Sequence, residues 1–174
     1  MAGESGITTR RATQADAGAI ARIYNQGIEE RIATFETRPR TAGDVASWFD
    51  GVHPIVVVED GGQVVGFAST SSYRPRECYA KIAEFSVYVA RDHRGRGLGR
   101  RALLALIDES GTAGRHKLVS RIFPENVASR AACCGIGSRS GSRSGQRPSV
   151  ADYVKGTATK AGATAAGCRS CCLL

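Results

Sequence analysis

An α/β fold in one domain, with helices flanking a mixed and mostly antiparallel sheet, is the class this sequence predicts, and three observations carry it. Two β-rich runs, Pro54 to Glu59 and Val64 to Ala68, are joined by Asp60-Gly61-Gly62, a hairpin turn, so an antiparallel pair precedes the middle of the chain. The segment from Lys81 then carries Ile82, Phe85, Val87 and Val89, apolar residues rich in β-branched and aromatic side chains, which mark a further strand. Directly after it, Leu98, Ala102, Leu103, Leu106 and Ile107 recur at helical spacing, and Lys117 to Phe123 reads as another strand. Strands first and a strand–helix–strand unit second make a mixed sheet with a ligand expected at strand ends.

The remaining elements come in chain order. Ile7 to Arg11 reads as a first strand; Thr13 stands at an N-cap position with Asp16 three residues on, opening a helix through Ile20, Ile23, Tyr24 and Ile28. Arg31 to Pro39 is a polar, irregular connection too long for a tight turn, and its Phe35 suits either a binding loop or a plug over the core edge. Thr41 with Asp44 repeats the capping pattern and predicts a second helix holding Val45, Trp48 and Phe49. Gly114 ends the helix after the central strand, and Asn126 opens a short one containing Ala128, Ser129 and Ala131. Past Gly137 the chain becomes rich in Ser, Arg, Gly and Ala, Tyr153 is its one aromatic residue, and no period-2 strand is predicted. The chain therefore divides into a globular domain, 1–137, and a basic low-complexity tail, 138–174.

Composition supports this division. With 42% hydrophobic residues in 174, there is enough apolar side chain for one core. No run of 18 apolar residues occurs and Met1 to Arg11 lacks the apolar stretch of a signal peptide, so a soluble cytoplasmic protein without membrane contact is expected. The formal charge of +8 invites a nucleic-acid reading, but residues 135–174 hold six Lys/Arg and one Asp, so most of the excess lies in the tail. Cysteines are skewed alike: Cys78 is alone in the body, whereas Cys133, Cys134, Cys168, Cys171 and Cys172 crowd the end. A zinc site drawn from them lacks a second two-residue spacer and any His, so reduced thiols and no metal are expected.

The joint between the central strand and its helix carries the chemistry. Arg94-Gly95-Arg96-Gly97-Leu98-Gly99 leaves backbone N–H groups unobstructed at a helix start, where donors lack partners and the helix dipole is positive. Such a turn suits an anionic phosphate, although glycines also serve plain chain reversal. No Lys-Ser/Thr pair comes after the glycines, which removes a Walker A loop. The order strand, Arg-x-x-Gly-x-Gly, helix resembles the pyrophosphate loop of the GNAT superfamily of N-acetyltransferases. Within that superfamily, Tyr24-Asn25, the run Ile32 to Thr37 and the run Glu84 to Val89 resemble phosphinothricin and methionine sulfoximine N-acetyltransferases and their arsinothricin-acetylating relatives, over about residues 7–137.

The resemblance implies a GNAT-like sheet with acetyl-CoA as co-substrate in the splay between central strands. It implies that the backbone of Val87, Tyr88 and Val89 holds the acetyl and pantetheine part, that Arg94, Gly95, Arg96, Gly97, Leu98 and Gly99 hold the pyrophosphate, and that Asn126, also a natural helix cap, orients the cofactor. Phe35, Arg74, Arg76 and Glu84 are the implied substrate contacts; the two guanidiniums suit a carboxylate and a phosphinate, or else form a solvated basic loop. Glu84 is the implied catalytic base. It is a lone acid in an apolar strand, costly to bury unless functional or paired with Arg74, Arg76 or Lys81. The implied activity is transfer of acetyl to the α-amine of a small amino acid analogue, a detoxification reaction, by a homodimer. The alternative is a non-enzymatic acetyl-CoA-binding remnant or a nucleic-acid binder working through the basic tail.

The tail departs from the family. Cys133 stands where relatives carry Tyr, His or Cys, suiting either a leaving-group acid or a packing residue, and Gly137 is succeeded by Ser138, not Phe. A change of reading frame is the expected origin of the segment 138–174.

Overall fold

The computed structural model describes residues 6–31, 33–134, 136 and 149–154. Strands β1 (Ile7–Arg11), β2 (Ile55–Asp60), β3 (Gln63–Ser72), β4 (Ile82–Val89), β5 (Lys117–Ile122) and β6 (Ser149–Val154) form one sheet in the order β1-β2-β3-β4-β5-β6. The first three junctions are antiparallel and the last two parallel. Helices α1 (Ala17–Glu30) and α2 (Ala42–Ala46) cover one face, and α3 (Leu98–Thr112) the other, with α4 (Val127–Cys134) coming after β5.

Burial on both faces explains why β2 reads as an unbroken apolar run. Ile55 and Val57 pack with Ile20, Ile23, Tyr24, Val45 and Phe67 under α1, whereas Val56 and Val58 pack with Leu98, Leu103, Leu106, Phe85 and Leu118 under α3. Alternation does the same on β4: Ala83, Phe85, Val87 and Val89 face α3, while Tyr88 joins the α1 cluster.

Both predicted capping boxes form. The Asp16 carboxylate accepts from the Thr13 backbone N–H at 2.8 Å, and the Asp44 carboxylate accepts from that of Thr41 at 2.8 Å. The hairpin turn has Gly61 at φ 59° and Gly62 at φ 83°, the left-handed pair that a two-residue turn between twisted strands demands. Two expectations need correction. The helix begun at Thr41 ends at Ala46, short of Trp48 and Phe49, because the next residues turn so that both rings pack beside the α1 cluster. The sequence also predicts no strand past Gly137, yet Ser149–Val154 pairs in parallel along β5. Val150, Tyr153 and Val154 favour strands without alternating strictly, so the open edge of β5, more than any pattern of its own, specifies β6. The rest of the predicted tail lies outside the described residues. Among the described residues no helix is long and apolar enough to cross a membrane.

Candidate active site

The site begins where two neighbouring strands part. β4 and β5 pair only through Ile82↔Lys117, Ala83↔Leu118 and Glu84↔Val119, whereas on its other side β4 stays paired to β3 as far as Val89↔Gly66. The edge of β4 from Phe85 onward is therefore unpaired toward β5, and peptide groups there are open to a strand-like ligand. That edge contains Val87, Tyr88 and Val89. The Val89 carbonyl already accepts from Arg94 Nε at 3.1 Å.

Next to this gap, the chain turns into α3 with Gly95 at φ 77° and Gly97 at φ 74°. Gly97 is the N-cap, no side chain caps the helix, and its first turn carries no acidic residue. Space is open around both glycines: a Cβ at either meets nothing within 4 Å. The backbone donors of Leu98, Gly99 and the next residue therefore face a surface suited to an anion such as a pyrophosphate. The two arginines of the loop are engaged elsewhere. Arg94 donates to both Glu30 oxygens at 2.9 and 2.8 Å, and Arg96 donates to Asp60 at 2.7 Å. Burial opposes ionisation of Glu30, but the hydrogen bonds from Arg94 and Arg91 outweigh it and hold the carboxyl below its usual range. These pairs tie the loop to the end of α1 and to β2, so the guanidiniums shape the turn while its peptide N–H groups stay open.

On the α1 face of β4, Glu84, Ser86 and Tyr88 stand in a row. Glu84 is held by Arg121 of β5 through two hydrogen bonds, 2.7 Å from Nε and 2.6 Å from Nη2. Its side chain is 17% exposed and that of Arg121 55%, so the pair lies at the mouth of the gap and not inside the core. Arg74, Arg76 and Lys81 are not its partners. Arg74 lies over the rings of Tyr73 and Tyr79, 5.3 and 5.8 Å from their centroids, and the Arg76 carbonyl accepts from Tyr79 N. Tyr73 is near enough to Arg121 to add to the upward push that Glu84 exerts on it.

Tyr88 points away into the helical layer. Its ring stacks on Phe67 with centroids 5.3 Å apart and meets Tyr24 edge-on at 4.9 Å. Burial pushes its phenol upward, so it stays protonated and donates to the Ala33 carbonyl at 3.4 Å. The connection after α1 is anchored by Asn25, which donates to the Arg40 carbonyl at 2.9 Å and accepts from Arg40 N at 2.8 Å. This holds Phe35 at 69% exposure, its ring 4.4 Å from that of Phe123 just past β5. Phe35 thus bridges the loop to the end of β5 and does not plug the core.

Asn126 caps α4, its Oδ1 accepting from Ser129 N at 3.1 Å. Cys133 is buried in the α3 cluster, which is the packing role of the two that its position suits. The structure thus brings Glu84 to Arg121 of β5 and Phe35 to Phe123 just past it, keeps Arg74 with Tyr73 and Tyr79 on the connection between β3 and β4, and puts the glycine loop after the far end of β4. Arg121 is the residue that sequence reasoning misses. The usable signal is the strand–helix–strand unit itself, which makes the two strands parallel neighbours and brings charged residues of the second beside those of the first.

A mixed sheet whose adjacent parallel strands part beside an uncapped, glycine-led helix defines an acyltransferase of the GNAT class. The Acetyltransferase (GNAT) family model matches residues 20–135, and the chain belongs to that family. It is 37% identical over 127 residues to the L-amino acid N-acyltransferase MnaT of Escherichia coli, covering 71% of this chain and 74% of the relative. It is 37% identical over 147 residues to the L-methionine sulfoximine/L-methionine sulfone acetyltransferase of Pseudomonas paraeruginosa, covering 81% and 83%. Among solved structures, yncA of Salmonella typhimurium, determined with its cofactor acetyl-CoA, superposes with a TM-score of 0.73 at 32% identity, covering 82% of this chain and 89% of that one. A GNAT superfamily phosphinothricin acetyltransferase from Sinorhizobium meliloti in complex with acetyl-CoA gives 0.70 at 27% identity, covering 82% and 83%.

Proposed function

We propose that this chain is an acetyl-CoA-dependent N-acetyltransferase that acetylates the α-amino group of a small amino acid analogue of the phosphinothricin, methionine sulfoximine or arsinothricin kind. The observation that carries the reading is the parting of β4 and β5 after Glu84↔Val119, with the uncapped start of α3 beyond it. Relatives named for activities of this kind, and structural neighbours solved with acetyl-CoA, support the same choice.

The bound co-substrate supplies the acetyl group as a thioester. Peptide N–H groups of Leu98 and Gly99 bind its pyrophosphate, with Arg94, Gly95, Arg96 and Gly97 fixing their orientation, and the open edge of Val87 and Tyr88 aligns the acyl end in the gap. Asn126 holds the start of α4 beside that gap. Glu84 takes a proton from the substrate ammonium, directly or through one water, leaving the amine lone pair to attack the carbonyl carbon. The C–N bond forms, the C–S bond breaks, and the second proton shed by the attacking nitrogen passes to the departing sulfur, giving the amide and free CoA thiol. Phe35 and Phe123 shield the acceptor from bulk water, and Arg74 and Arg76 face the oxygens at the end of the acceptor side chain. A homodimer working in the cytoplasm completes the reading, and light scattering decides the first of these.

The test is release of free thiol from acetyl-CoA in the presence of L-methionine sulfoximine or phosphinothricin, with calorimetry of acetyl-CoA alone. Binding together with acceptor-dependent thiol release supports the enzyme. Binding with no release under any acceptor identifies a remnant, and no binding removes the reading.

A further inference from the structure

We infer that Arg121 is an acceptor-binding residue, the carboxylate anchor of the α-amino acid, and that the Glu84–Arg121 ion pair is a charge template that the zwitterionic acceptor opens and occupies. The inference rests on the acetyl-transfer reading for the identity of the site, but its geometry stands apart from it. The two side chains come from strands that stop pairing at this point, and they meet through two hydrogen bonds of 2.7 and 2.6 Å. An α-amino acid carries an ammonium and a carboxylate on one carbon, so its charges mirror those of the pair and lie about as close together. With the ammonium on Glu84 and the carboxylate on Arg121, each protein charge exchanges its present partner for an opposite one from the ligand.

Three further observations favour this exchange. First, the Arg121 side chain is 55% exposed, and an ion pair open to solvent is held weakly enough to be replaced. Second, Arg121 occupies both Glu84 oxygens, and drawing it onto the ligand opens them to accept hydrogen bonds from the arriving ammonium. Third, Arg74 is engaged over Tyr73 and Tyr79 on the β3–β4 connection, which leaves Arg121 as the guanidinium in contact with Glu84. Arg121 therefore serves the α-carboxylate, and Arg74, on a different element, is left for the far end of the substrate. The site then selects free amino acids over amines, amides and internal peptide residues, because those lack the group that relieves Arg121.

The experiment uses the full chain, L-methionine sulfone and its α-carboxamide, with Arg121→Met and Arg121→Lys as variants. Calorimetry reads the subsite whether or not acetyl transfer occurs. L-Methionine sulfone binding to the wild type should weaken by at least about tenfold in Arg121→Met and be partly kept in Arg121→Lys. Equal affinity in wild type and Arg121→Met, or no binding to the wild type, overturns the inference. In turnover, Arg121→Met should raise KM for the acid by a similar factor while leaving KM for the carboxamide unchanged or lower. An equal change for both acceptors means that Arg121 acts only by holding Glu84, and overturns the anchor role. Binding that depends on Arg121 with no thiol release would sink the enzyme reading and leave the anchor standing.

Discussion

At the residue scale, pairing decides what each charged group is free to do. Asp16 is buried and accepts from Arg10 at 2.8 Å through each of its oxygens, and Arg10 also reaches Glu59 at 2.6 Å, so one guanidinium fastens β1 to β2 and to the start of α1. The Arg10 hydrogen bonds, against the cost of burial, hold the Asp16 carboxyl down at about 2. A depressed folded value means stability that is fully present above the unfolded value near 4 and is lost as pH falls from about 4 through about 2. Asp16→Asn should therefore cost about 1–3 kcal/mol at neutral pH and flatten the acid limb of the stability curve over that window, read by urea melts at several pH values. Gly27 illustrates a different limit. A Cβ there would lie 2.8 Å from Tyr88 Cε1, and that ring is pinned between Phe67 and Tyr24. Alanine gains up to about 1 kcal/mol of helix propensity but overpacks a rigid site at a cost of about 1–3 kcal/mol, so Gly27→Ala should lower Tm by a few degrees.

At the element scale, local signals are legible wherever a short-range rule governs. Thr13 with Asp16, Thr41 with Asp44, Asp60-Gly61-Gly62 and Gly114 each mark a cap or turn that the structure contains. Lengths are less legible, since tertiary contacts set them: β3 runs on to Ser72 because β4 offers partners as far as Ala83, and α2 stops early to seat Trp48 and Phe49. The start of α3 has a sharper consequence. Gly97 is left-handed, whereas Gly99 has ordinary backbone and a Cβ there would meet Val89 and Val87 methyls at 3.6 and 3.7 Å. Gly97→Val should thus strain the turn and weaken acetyl-CoA binding by at least about tenfold, while Gly99→Ala should fold with an unchanged melting temperature. Calorimetry and thermal melts distinguish the two. Unchanged affinity in folded Gly97→Val would remove the phosphate-loop assignment.

At the scale of the whole molecule, the site is a product of topology, and that is where the sequence is least informative. Glu84 stands out as a lone acid in an apolar strand, and the glycine loop stands out by its spacing, but the gap between β4 and β5 has no local signature. It arises because three residues of β4 pair with β5 while the rest continue alone beside β3. Arg121, Phe123 and Phe35 converge only through that arrangement, which is why nothing local sets Arg121 apart from an ordinary surface charge. β6 is illegible for the same reason: its partner edge, not its own alternation, defines it. Glu84→Gln preserves the shape of the side chain and removes the proton acceptor, so with saturating acetyl-CoA and L-methionine sulfoximine it should reduce turnover by roughly 10²–10⁴-fold. Acetyl-CoA affinity should stay the same, and the rise of the wild-type rate with pH should lose the part owed to the carboxylate. Full turnover by Glu84→Gln with an unaltered pH profile would contradict the account and leave deprotonation of the amine to solvent or to another group.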